Sequence, residues 1–109
     1  MVLDERNNFL RERKKMKEYW HEADKPILSE EEQLEIARGE DIVEKRHLAK
    51  RADLCLEAAE LLARDPDMVV RMELANRTCY ESIWQELKKD RTKRVREWAR
   101  FNPFFGRKV

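Results

Sequence analysis

LARDPDMVVRMELA, residues 62–75, has a counterpart on each side of it: IARGEDIVEKRHLA at 36–49 and LKKDRTKRVREWAR at 87–100. The offsets are 26 and 25 residues, a period that marks stacked helical units. Between the first two copies Ala37 matches Ala63, Arg38 matches Arg64, Asp41 matches Asp67, Val43 matches Val69, Leu48 matches Leu74 and Ala49 matches Ala75. Between the second and third, Leu62 matches Leu87, Asp65 matches Asp90, Val70 matches Val95 and Arg71 matches Arg96. The central copy also carries its own punctuation. Pro66 cannot continue a helix, and Asp67 after it can accept hydrogen bonds from the exposed backbone donors of the next one.

Working outward, the rest of the chain punctuates itself in the same way. Ser29 with Glu32 is a capping-box pair, and Gly39 stops the helix that buries Leu34, Ile36 and Ala37. Asp41 opens a helix carrying Ile42, Val43, Leu48 and Ala49. Asp53 is placed to cap a stripe of Leu54, Ala58, Leu61 and Leu62. Thr78 with Glu81 reads as a second capping box before Ile83, Trp84 and Leu87, and Thr92 starts a helix with Val95, Trp98, Ala99 and Phe101 that ends at Asn102-Pro103. Upstream, residues 4–23 place Phe9, Met16, Tyr19, Trp20 and Ala23 near one helical face, stopped by Pro26.

Composition agrees. With 2 Gly and 3 Pro in 109 residues and 43% charged residues, the chain suits short helices with one buried stripe each. Such helices are marginal alone and become stable by covering one another. The expected architecture is therefore all-α: a short right-handed α-solenoid of six or seven short helices with an N-terminal capping helix. A single domain spans 1–109, divided into an N-terminal helix (1–26), helical repeats (27–103) and a C-terminal cap or tail (104–109).

The D-P-D-x-V-V-R-x-x-L-A run at 65–75 and the V-R…F-N-P pattern at 95–103 resemble the leucine-rich repeat variant and, more loosely, HEAT-like repeats, over residues 34–103. The resemblance implies stacked helical units in which recurring Asp and Arg organise turns and bridge neighbours. Arg71 and Arg96 would each bond a carboxylate or carbonyls near Asp65, Asp67 or Asp90; the other reading makes them a ladder for an anionic ligand. One member of that family holds an iron–sulfur cluster on a cysteine group preceding its repeats. Cys55 and Cys79 stand alone in their neighbourhoods, so no cofactor is carried over.

No catalytic pattern is visible. His21 and His47 fit no metal spacing, and Glu30-Glu31-Glu32 suits a helix N-terminus better than acid–base work. The chain reads as non-enzymatic. Its net charge is +1, but residues 22–44 sum to −7 and residues 88–109 to +7. At the basic end Lys93, Arg96 and Arg100 are spaced to share one helical face, with Lys88, Lys89, Arg91, Arg94, Arg107 and Lys108 around them. Phe101, Phe104 and Phe105 lie beside them. Phe104 and Phe105 either fold back on Trp84 or Trp98 as a cap or stay exposed for a partner.

The expected function is a protein-interaction module, an adaptor or regulator. Its contact residues would be Lys93, Arg96, Arg100, Phe104, Phe105 and Arg107, and its partner an acidic protein or a second copy of the chain. The alternative is nucleic-acid binding through the same basic face. No apolar run suggests a membrane span, and two cysteines in a lysine-rich helical chain fit a reducing cytoplasm.

Overall fold

The computed structural model describes residues 21–106. They form six α-helices: α1 (Glu30–Arg38), α2 (Ile42–Ala49), α3 (Leu56–Ala63), α4 (Met68–Arg77), α5 (Glu81–Leu87) and α6 (Lys93–Arg100). A 3-10 turn, Glu22–Asp24, precedes them, and the described residues contain no strand. The all-helical expectation holds. The N-terminal helix falls largely outside the described residues, and its expected end does not form: His21 is extended and only the 3-10 turn follows.

Three of the six helices start on a side-chain cap of their own. Ser29 and Glu32 make the full capping box at α1, with Ser29 Oγ accepting from the Glu32 N–H and Glu32 Oε1 from the Ser29 N–H. Asp41 caps α2 by accepting from the Glu44 N–H, and Asp67 caps α4 by accepting from the Val70 N–H. Three expected caps do not form. Asp53 is taken by Arg51, at 2.7 Å and 3.0 Å, and Cys55 becomes the residue before α3. Thr78 ends α4 and its Oγ1 accepts from the Tyr80 N–H, so Tyr80 precedes α5. Thr92 stands before α6, but its hydroxyl accepts from Arg71 instead of from its own helix.

Contacts follow a simple order. Substantial packing joins helices one or two places apart in the chain, so α1, α3 and α5 form one row and the 3-10 turn, α2, α4 and α6 another. The core runs between the rows as one cluster that includes Leu48, Leu62, Leu74, Leu87, Val70, Val95 and Ala99. Small residues help the close approach: Ala58, Ala59 and Ala63 of α3 are buried. Cys55 packs half-buried against this cluster, whereas Cys79 is exposed.

The apolar stripes are narrower than the sequence suggests. Ile42 and Val43 are exposed, and Leu61 is 39% exposed beside a fully buried Leu62. Polar side chains fill the difference. Gln33 is buried and joins α1 to the chain before α3, donating to the Leu28 and Asp53 carbonyls and accepting from the Cys55 N–H. At the other end Asn102 donates to the carbonyls of Ala75 and Thr78 and accepts from the Phe104 and Phe105 N–H groups. The turn it holds closes so tightly that a Cβ at Gly106 would collide with the Arg100 and Asn102 carbonyls. No buried side-chain nitrogen or oxygen among the described residues lacks a partner.

Candidate functional site

Charged bridges between successive units set the geometry of the basic end. Lys45 on α2 reaches Asp65 at 2.7 Å, and both side chains are buried. Arg46 holds Asp67 through two bonds of 2.9 Å. Arg71, 3% exposed, donates from Nη1 to the Asp65 carbonyl, from Nε to Asp90 at 3.0 Å and from Nη2 to Thr92 Oγ1 at 2.9 Å. The structural role expected of Arg71 is realised with Asp90 as its carboxylate. Lys45 stands in the same repeat register as Arg71 and Arg96, which is the sequence signal of its bridge to Asp65. Gln33 gave no such signal, since it bonds the backbone of Asp53 and Cys55 about twenty positions away.

The bonds between Arg46 and Asp67 carry a pH dependence. The Arg46 guanidinium, then the Val70 N–H, hold the Asp67 carboxyl below the usual carboxylate range despite partial burial. Arg51 acts likewise on Asp53. A carboxyl with a folded pKa below its unfolded one stabilises the fold fully above the unfolded value. That stabilisation disappears as pH falls through the folded value. The urea midpoint should therefore decline on acidification below about pH 4. Asp67→Asn should lower the midpoint at neutral pH and make the acid decline shallower, which urea titrations across pH will check.

α6 carries the three expected contact cations. Val95 and Ala99 face the core, while Lys93, Arg96 and Arg100 are exposed. The three do share a surface: with Lys88 and Glu97 they line one concavity. Arg96 donates from Nη1 to the Asp90 carbonyl at 2.6 Å. Among the described residues Lys93 makes only a long exposed contact with Glu97, at 3.9 Å. Lys88 stands over the Trp84 ring at 4.6 Å from its centroid. Trp84 is fixed by its own N–H, which donates to the Ala99 carbonyl at 2.8 Å.

The phenylalanines divide between the two roles open to them. Phe105 is half-buried with its ring centroid 5.5 Å from that of Trp84, in a tilted contact. Phe104 touches Phe105 at 6.3 Å between centroids yet remains 59% exposed, and Phe101 is 75% exposed. The cap on Trp84 is thus made by Phe105. Phe104, Phe105, Trp84 and Lys88 form a continuous path from the exposed rings to the cationic concavity. Arg107 lies outside the described residues.

At the opposite end His21 and His47 stack with centroids 4.0 Å apart. Their Nδ1 atoms face Glu44 at 2.8 Å and Asp24 at 2.9 Å. Glu44 also accepts from the Glu22 and Ala23 N–H groups, which ties the 3-10 turn to α2. No group of three or more His, Cys, Asp or Glu among the described residues could hold a metal ion. No described helix is long and apolar enough to cross a membrane. No protein family, curated protein or solved structure matches this chain.

Proposed function

We propose that the chain is a non-enzymatic protein-interaction module built as a short α-solenoid of leucine-rich-repeat-variant or HEAT-like units, with its contact surface at the basic, phenylalanine-rich end. The alternating rows, with packing between helices one or two places apart, support the repeat reading. The observation that carries the interaction reading is the path from Phe104 through Phe105, Trp84 and Lys88 to the concavity of Lys93, Arg96 and Arg100. Exposed aromatic rings beside four cations and a single carboxylate, Glu97, suit an acidic protein surface, with the rings supplying apolar anchors and the cations orientation.

Phe104 is the residue to remove first, because its exposure separates binding from folding. Phe104→Ala should preserve the circular-dichroism helix signal and weaken an acidic partner, recovered by cross-linking in the native host, by about tenfold or more. The charge-reversed pair Lys93→Glu with Arg100→Glu should abolish the same capture. Nucleic-acid probes in a salt series provide the opposing result. Duplex or single-strand binding that falls steeply with salt and disappears in the charge-reversed pair would replace a protein partner with a nucleic acid.

A further inference from the structure

The turns Asp65-Pro66-Asp67 and Asp90-Arg91-Thr92 are built alike. In each, Oδ1 of the leading Asp accepts from the backbone N–H two residues on, Asp67 at 2.9 Å and Thr92 at 2.8 Å. That leaves Oδ2 for a cation of the preceding unit: Lys45 at 2.7 Å on Asp65, and Arg71 Nε at 3.0 Å on Asp90. The cations themselves recur in register. Lys45, Arg71 and Arg96 are offset by 26 and 25 residues, the period of the repeat.

Arg71 and Arg96 share a further bond. Each donates from Nη1 to the carbonyl of the leading Asp in its own unit, Asp65 at 2.7 Å and Asp90 at 2.6 Å. This bond tethers one end of the guanidinium. Arg71 then uses Nε and Nη2 to receive the carboxylate of Asp90 and the hydroxyl of Thr92. Arg96 has the same anchor, but its Nε and Nη2 have no partner among the described residues. It is exposed, and Lys88, Lys93, Arg100 and the single carboxylate Glu97, which faces Lys93 at 3.9 Å, line the concavity with it. A held guanidinium loses less side-chain freedom on binding than a free one, and its planar edge matches a carboxylate better than an ammonium does.

We propose that Arg96 is a docking position for an Asp-x-Thr or Asp-x-Asp turn at the start of a helix in a partner protein, received as Arg71 receives Asp90 and Thr92. This rests on the protein-interaction reading and gives it a recognition chemistry. A second folded copy is a poor source of that turn. The sequence holds two Asp-x-Asp/Ser/Thr tripeptides, at 65–67 and 90–92. Both leading carboxylates are already bonded within the fold. The partner is therefore a different protein with a free acidic turn, and the surrounding cations favour its approach.

The test uses the intact chain and a synthetic peptide of its own sequence 62–77, in which the Asp65-Pro66-Asp67 turn is free. Nitrogen-15 spectra of the arginine Nε–H groups should show the Arg96 signal shifting saturably with peptide while that of Arg71 stays in place. The same peptide with Asp65→Asn and Asp67→Asn should bind about tenfold or more weakly, since the charge-assisted bonds are lost. Arg96→Lys in the protein should cause a comparable loss, whereas Arg94→Lys should not.

No Arg96 shift up to the solubility limit of the peptide overturns the proposal. So does an equal response to the Asn peptide, or to inorganic phosphate at the same concentration, which would make Arg96 a general anion contact. The wider reading fails separately. A partner still captured by Arg96→Lys but lost on charge reversal at Lys93 and Arg100 would remove this docking mode and leave the interaction surface standing.

Discussion

Arg71→Met should destabilise the fold by about 3–5 kcal/mol, read as a lowered urea midpoint at unchanged slope. The side chain is 3% exposed and joins three partners at once: the Asp65 carbonyl, the Asp90 carboxylate and the Thr92 hydroxyl. Methionine fills much of the volume but satisfies none of them. The largest penalty falls on Asp90, whose side chain is 9% exposed and would be left, among the described residues, with the Thr92 N–H alone to bond. Against a typical domain stability of about 5–15 kcal/mol, that loss brings the chain close to unfolding at ambient temperature. Arg71→Lys retains the charge and loses the fork, so its cost should be intermediate.

Arg96→Met is the informative control. It occupies the equivalent repeat position but is exposed and bonds one carbonyl, so its midpoint should move by only about 0.5 kcal/mol or so. Similar costs at the two positions would mean that the bridge through Asp90 contributes little. A large cost at Arg71 alone would assign the internal arginine to stability and leave the outer one free for recognition.

The difference between Arg71 and Arg96 also shows where sequence reading stops. Their shared register was visible from the 25-residue offset, and the common face of Lys93, Arg96 and Arg100 from helical spacing. Which of two equivalent arginines is buried depends on what lies beyond it in space. Caps divide in the same way. Ser29 and Asp41 cap as their local sequence implies, because no distant donor among the described residues competes for their oxygens. Thr92 has the same local signal, but the buried guanidinium of Arg71 claims its hydroxyl. Asp53 is claimed by Arg51, itself aimed by the carbonyls of Ala23 and Lys25. Gln33 and Asn102 carried no apolar signal at all, yet their amides join segments twenty or more residues apart because they bond backbone groups that any sequence provides.

Leu62→Ala should cost about 2–5 kcal/mol, whereas Leu61→Ala should cost about 1 kcal/mol or less. Helical periodicity admits both leucines to the α3 stripe, and the structure separates them: Leu62 is fully buried and Leu61 is 39% exposed. Truncating Leu62 removes three carbons from the cluster and leaves a cavity that the neighbouring Ala58 and Ala59 are too short to fill. Leu87, one repeat later, is equally buried and should be equally costly. Hydrogen exchange adds what the urea midpoint cannot. Because substantial contacts link helices one or two places apart, a cavity at Leu87 should loosen α3, α4 and α6 around α5 before it reaches α1 and α2. Uniform loss of protection from α1 to α6 would instead show one cooperative unit, in which stability is shared across the whole length of the two rows.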